Sequence, residues 1–312
     1  MTSPSSVPLT AGVRPPRLRE GDVVALVAPS GPVPPDQLDA GVAILQSWAL
    51  QVRVMPHVRD VHPLHLYLAG DDEARAEDFC NAWAAPDVRA IVCVRGGYGA
   101  QRMTDLVDWS ALRSAEPTVL VGYSDITALH QAVAARLGVV TLHGPMTAAR
   151  TFLDSPAAQE HLRMTLFEPE SVQVLLRPSA RPLVGGAAVG VTTGGCLSML
   201  TTSVATPSAL TARGGLVLLE DVDEKAYRLD SYLTHLRRSG WFDGAAGVVL
   251  GSWADCEPAE PVVADVLGDL GVPILGDFGF GHGDDPITVP LGVLAELDAD
   301  AGKLTLDQPA LA

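Results

Sequence analysis

An α/β fold in two parts is what the sequence predicts: a mostly parallel α/β sandwich domain, then a β-rich C-terminal domain. Three observations predict it. Short β-branched runs alternate with stretches of helical periodicity from Val23 to Leu142. A Pro-, Ser- and Glu-rich segment without clear period, Glu168–Pro182, interrupts that pattern, and strands dominate beyond it. The 312 residues, 47% apolar and 19% charged, suffice to bury two modest cores and are too apolar for disorder.

Taken in order, Val23–Ala28 is a strand closed by the turn residues Pro29, Ser30 and Gly31. Asp36–Ala49 places Leu38, Val42, Leu45 and Trp48 at helical spacing, and Gln51–Met55 returns as strand. Asp71–Ala84 opens with acids, which favour a helix N-terminus, and carries Ala76, Phe79, Cys80 and Trp83 on one stripe. Ala90–Val94 and Val119–Gly122 are strands; a helix over Ile126–Leu137 ends at Gly138, and Val139–Leu142 follows as strand. Such alternation implies βαβ crossovers and helices on both faces of a sheet. Helical pattern runs on to Phe167. Strands are then expected at Ala188–Thr192, Gly215–Leu219 and Gly247–Gly251, with a hairpin at Val293–Leu306 turning at Asp298–Gly302. One helix stands among them, Tyr227–Arg238, with Leu229, Tyr232, Leu233 and Leu236 on one face and Gly240 past its end. The expected division is an extension at 1–16, an α/β domain at 17–165, a linker at 166–184 and a β-rich domain at 185–312.

Several classes fall away. Met1–Pro16 lacks the cationic start and apolar core of a secretory leader, and no apolar run approaches the ~20 residues that span a bilayer. A cytoplasmic protein with no membrane partner is expected. Cys80, Cys93, Cys196 and Cys256 are scattered and form no C-x-x-C pair, which suits free thiols better than disulfides or zinc. A net charge of −16 lacks the basic footprint that nucleic acid requires.

Chemistry concentrates where strands end. Ser124, between the strand Val119–Gly122 and a helix start, resembles a nucleophile elbow, although Ile126 stands where G-x-S-x-G has its last glycine. On local pattern alone, a cap by Ser124 or Asp125 is the stronger reading. Arg95-Gly96-Gly97-Tyr98-Gly99 also follows a strand; its glycines would let backbone N–H groups approach an oxyanion, or simply make a tight turn. A serine needs a base. His57, His62 and His65 lack zinc spacing and read as loop histidines, His130 as helix filler, and His161 and His235 as solvent-facing. His143 and His282 remain, the second flanked by Gly281 and Gly283; a surface-turn histidine is the alternative. Glu220 and Asp221 end an apolar strand, where a carboxylate that orients an imidazole belongs and where strands also simply exit to solvent. Only Lys225 and Lys303 are present, neither near an obvious serine, which disfavours a Ser–Lys dyad.

The motifs taken together resemble the LD-carboxypeptidase family. The similarity runs in order through Ala28–Gly31, Tyr67–Arg75, Cys93–Gly99, Gly122–Thr127, His143–Met146, Gly194-Gly195, Leu219–Val222 and Gly279–His282. The resemblance implies an active site at the domain interface, with Ser124 as nucleophile, Glu220 as carboxylate and His282 as base. It further implies oxyanion donors at the backbone of Asp125 and of Gly96 or Gly97. No cofactor or metal is implied. The implied substrate is a small peptide, a murein tetrapeptide cut before its terminal D-alanine in peptidoglycan recycling. Arg95 and Arg228 are candidate cations for its carboxylate, and Tyr98 a candidate contact. A homodimer is compatible with the resemblance. One departure is Cys196, where the family often has Asn after Gly-Gly. Two alternatives stay open: a microcin-C-type self-immunity hydrolase of peptidyl nucleotides, with Trp241 or Trp253 as the aromatic for its nucleobase, and a non-catalytic small-ligand-binding protein.

Overall fold

The computed structural model describes residues 7–312, so the expectation for residues 1–6 of the extension lies outside the described residues. In chain order the first half forms β1 (Val23–Val27), α1 (Pro35–Ser47), β2 (Gln51–Val54), α2 (Asp72–Ala84), β3 (Val88–Cys93), α3 (Ala100–Thr104), α4 (Trp109–Leu112), β4 (Val119–Gly122), α5 (Thr127–Leu137), β5 (Thr141–His143), α6 (Arg150–Leu153) and α7 (Pro156–Phe167). The second half forms β6 (Val174–Leu176), β7 (Arg181–Val184), β8 (Ala187–Cys196), α8 (Leu197–Ser203), β9 (Gly215–Val222), α9 (Ala226–Arg238), β10 (Gly247–Ala254), α10 (Glu260–Leu267), β11 (Ile274–Gly276), β12 (Val289–Leu291), β13 (Leu294–Asp298) and β14 (Lys303–Leu306).

Two sheets carry the molecule. The first runs β12-β5-β4-β3-β1-β2, parallel except for β12; β1, β3, β4 and β5 are largely buried on both sides, as inner parallel strands between helices are, while the edge strand β2 stays partly exposed. The α/β alternation read from sequence is therefore present. The second runs β6-β14-β13-β8-β9-β10-β11-β7. Its centre, β8 to β11, is parallel and its flanks are antiparallel. Helix α9 packs Leu229, Leu233 and Leu236 inward, the i, i+4, i+7 stripe, with His235, Arg237 and Arg238 in the last turn, where cations suit the dipole.

Two expectations are corrected. The segment read as a linker is partly sheet: β6 and β7 are the two edge strands of the second sheet, each with a single neighbour. Pro182 lies within β7, and an edge is where a strand tolerates proline. The second half also does not stay in its own sheet, because β12 crosses over to pair with β5, His143 opposite Val289. Residues 9–13 are likewise tied to both parts, through Leu9 N–H to the Arg213 carbonyl, Gly12 N–H to Gly292 and Val13 N–H to Gly138.

Candidate active site

The serine turn is strained by its backbone. Strand β4 ends at Gly122, Tyr123 is extended, and Ser124 takes φ +64°, a left-handed conformation that costs a non-glycine residue about 1–3 kcal/mol. One turn of 3₁₀ helix, Ser124–Ile126, then leads into α5. A Cβ on Gly122 would overlap the Ile126 side chain, so the reversal needs glycine there. Ser124 is left half-exposed at the top of the sheet, the task of a nucleophile elbow. Asp125 is buried and caps nothing on its own helix. Its Oδ2 accepts from Ser30 Oγ (2.6 Å) and from Ala100 N–H (2.8 Å), binding the loop after β1 and the start of α3 to the serine turn.

The glycine loop lies against that turn. A Cβ built on Gly96 would come within 3.0 Å of Ser124 Cβ and 3.2 Å of Oγ. Gly97 has φ +114°, and Gly31 N–H donates to the Gly96 carbonyl at 3.1 Å. Beside it opens a cleft of about 570 Å³ lined by Gly31, Pro32, Tyr67, Arg95, Gly97 and Tyr98. The Tyr67 and Tyr98 rings meet edge-on at 6.0 Å, and Arg95 Nη1 donates to the Pro32 carbonyl at 2.9 Å.

The second sheet supplies the ionisable groups. Glu220, near the end of β9, is fully buried, and its Oε2 lies 2.5 Å from Nδ1 of His282. Burial pushes Glu220 up, but the charge and hydrogen bond of His282 and the nearby His143 outweigh it and hold the carboxyl down at about 2. Burial in turn pulls His282 down, and Glu220, with a smaller contribution from Asp221, raises it above the ordinary imidazole value. The His282 loop is fixed at both ends: Ser252 N–H donates to the Phe280 carbonyl (2.8 Å), and Gly283 N–H to Ser252 Oγ (2.7 Å). Asp221 is used differently. It accepts from Ser198 N–H at 2.8 Å, capping α8, and from Cys196 Sγ at 3.4 Å.

Gly281 is the tightest point of this arrangement. It has φ +93°, and a Cβ there would overlap Glu220 Oε2. Gly281→Ala is expected to lower stability by more than about 1 kcal/mol, since both backbone and contact are incompatible with alanine. A denaturant melt superimposable on wild type would contradict this close approach.

Tyr123 joins the two sets. It is bonded to Ser124, its ring meets the His282 ring edge-on at 4.8 Å, and its hydroxyl pairs with Thr151 Oγ1 at 2.9 Å. Strand β8 docks on the helix after the serine through Cys196 N–H to Thr127 Oγ1 (3.0 Å), and Gly195 allows this because a Cβ would overlap Thr127. Among the described residues Ser124 Oγ is not hydrogen-bonded to His282, a contact that in many enzymes closes only around substrate.

The structure thus gathers Ser124, Asp125, Gly96, Glu220 and His282 in one region and sets Gly97, Arg95 and Tyr98 around the adjoining cleft. Arg228 is not carried forward: it sits on α9, with Nε on Glu224 at 2.7 Å and its guanidinium over Tyr232, so its charge is already compensated. His161 is corrected as well. It is not solvent-facing: its Nδ1 accepts from Thr288 N–H at 3.2 Å, and burial lowers it to about 4. His130 is buried rather than amphipathic filler, and its Nε2 meets the Gly122 carbonyl at 2.9 Å. The Cys196 thiol is buried and turned to Asp221 and Ser198. His143 and Tyr123 are the neighbours that sequence reasoning did not assign to this site; His143 was legible only as a rival base.

Comparison with known proteins gives two matches to family models, the LD-carboxypeptidase N-terminal domain over residues 24–144 and the LD-carboxypeptidase C-terminal domain over 189–297. A putative carboxypeptidase of Streptomyces coelicolor is 59% identical over 303 residues, 96% of this chain and 97% of the relative. A probable murein peptide carboxypeptidase of Bacillus subtilis is 34% identical over 295 residues, 91% of each chain. A solved structure of MccF in complex with glutamyl sulfamoyl guanosine superposes with a TM-score of 0.85 at 20% identity, over 96% of this chain and 99% of that one. No helix of the described residues is long and apolar enough to cross a membrane.

Proposed function

Since this chain belongs to the LD-carboxypeptidase family, we propose that it removes the terminal D-alanine from murein tetrapeptides, using Ser124, His282 and Glu220 as a catalytic triad. The observation that carries this reading is the 2.5 Å Glu220–His282 pair beside a serine turn at positive φ. Ser124 Oγ attacks the scissile carbonyl carbon as its proton passes to His282 Nε2, and Glu220 stabilises the imidazolium. The tetrahedral oxyanion takes hydrogen bonds from the backbone N–H of Asp125 and of the Gly96-Gly97 pair, each worth about 3 kcal/mol. Collapse breaks the C–N bond, His282 returns the proton to the leaving amine, and D-alanine departs. A water then gives its proton to His282 and its oxygen to the acyl carbon, and the second collapse restores the Ser124 hydroxyl.

The murein relative at 34% identity favours a muropeptide substrate over a peptidyl nucleotide, since the sequence likeness to MccF is lower, 24% identity. A muropeptide product would be reused in peptidoglycan recycling, within the cytosol. Arg95 is the cation we assign to a substrate carboxylate, supported by its position lining the cleft next to Gly97 and by its having no ion pair among the described residues. Arg95→Ala is expected to raise KM about tenfold and leave kcat within a factor of about three, as removal of uniform binding does. The decisive assay is release of free D-alanine from an L,D-tetrapeptide, run beside a peptidyl-nucleotide conjugate. Turnover of the nucleotide conjugate alone would sink the murein reading and keep the hydrolase.

A further inference from the structure

A second imidazole stands behind Glu220. His143 ends β5 and is fully buried, and its Nε2 lies 3.7 Å from Glu220 Oε1. Among the described residues neither ring nitrogen of His143, nor Oε1 of Glu220, has a hydrogen-bond partner. Buried polar atoms are rarely left in that state, and here two of the orphans face each other only a few tenths of an ångström beyond bonding distance. One contact resolves both: Nε2–H of His143 donating to Oε1.

The surroundings leave little else for this imidazole to do. Around it are Glu220 from β9, His130 from α5 with rings 6.3 Å apart, Tyr123 at 5.9 Å, and Phe280 perpendicular at 5.4 Å. His130 is held neutral by burial, at about 3, and its Nε2 is taken by the Gly122 carbonyl. Tyr123 is pushed up to about 12 by burial and stays a phenol. Glu220 is thus the charged group that His143 meets. His143 is also rigid: it pairs with Gly122 on β4 and Val289 on β12, inside the sheet that carries Ser124.

We propose that His143 is a positioning residue, holding Oε1 of Glu220 through Nε2–H while Oε2 orients His282. It fixes the carboxylate plane and ties the nucleophile's sheet to the sheet that carries Glu220. The proposal rests on the triad reading above. A residue that only filled space would leave the titration of His282 alone; a donor to Glu220 would not. Without that donor, more of the carboxylate's charge faces His282, whose other titratable neighbours are Asp221 and Tyr123.

The test is the rate at which a fluorophosphonate labels Ser124 in the full-length protein, followed against pH. His143→Leu is expected to slow labelling about 10–100-fold, the usual cost of losing a group that orients a reacting one, and to move the acid limb to higher pH. His143→Gln, whose amide N–H can reach the Nε2 position, recovers most of the rate and returns the limb. On a Glu220→Gln background, His143→Leu adds no further loss. An unmoved limb in His143→Leu, a glutamine variant no better than leucine, or independent losses in the double variant each overturn the proposal. If the leucine variant does not melt cooperatively, His143→Asn, whose amide stops short of Glu220, takes its place in the same comparison. Ser124→Ala separates the two readings. Labelling of that variant, or none of wild type, overturns the triad itself; labelled wild type, silent Ser124→Ala and unaffected His143 variants overturn only the role of His143.

Discussion

Ser124→Ala is expected to abolish D-alanine release, lowering kcat by about 10⁴-fold or more, and to leave the fold as it is. The hydroxyl makes no hydrogen bond among the described residues, and alanine pays the same left-handed backbone penalty as serine, so stability should stay within about 0.5 kcal/mol. Ser124→Gly separates the two roles of this position. It too is inactive, yet glycine relaxes φ +64° and should stabilise the protein by about 1 kcal/mol. A D-alanine assay paired with a thermal melt reads both quantities. An alanine variant that still turns over at more than a hundredth of the wild-type rate would remove Ser124 from the mechanism.

Glu220→Gln carries the second largest effect, a fall in kcat of about 10⁴-fold, because an amide neither stabilises the imidazolium nor enforces one tautomer. Its pH signature is as informative as its size. His282 is raised in the folded protein, so its neutral, base-competent form accumulates only above the ordinary value of 6.5, and the acid limb of kcat/KM lies there. With glutamine, only the smaller contribution of Asp221 opposes burial, and the limb should move below that value. Stability follows the same pair with opposite signs at its two ends. The raised His282 contributes fully below 6.5 and its share is lost as pH rises through its folded value. The depressed Glu220 contributes above its ordinary 4.5, and that share is lost as pH falls towards about 2. Both describe one contact and count once. A wild-type acid limb at or below 6.5 would show that Glu220 and His282 are not coupled as drawn.

Much of the first sheet was legible because buried parallel strands are β-branched runs and their helices keep a 3.6-residue period, as at Val23–Val27 and Asp72–Ala84. The edge strands of the second sheet were not. Val174–Leu176 and Arg181–Val184 have one neighbour each, keep several residues exposed and admit a proline, so they carry no apolar period to read. The crossing of β12 was hidden for a related reason: three residues give no pattern that says which sheet they join. At the site, the serine turn and the acidic strand end could be found locally, while the choice between Glu220 and Asp221 could not. Both are buried, and only the partners tell them apart, His282 for one and the start of α8 for the other. His143 and His282 had the same ambiguity in sequence. They turn out to face opposite oxygens of a single carboxylate.

The pairing of β12 with β5 also sets when the first sheet can be completed during synthesis. Domains form as units from the N-terminus at about 5–20 residues per second, so the serine turn and glycine loop take shape before Glu220 and His282 have been translated. Between His143 and Val289 the edge of β5 waits for its partner, an interval on the order of ten seconds at such rates. Under the proposed triad, the nascent chain through that interval holds Ser124 without His282 to take its proton. The same interval exposes an unpaired strand edge, the surface most prone to wrong pairing.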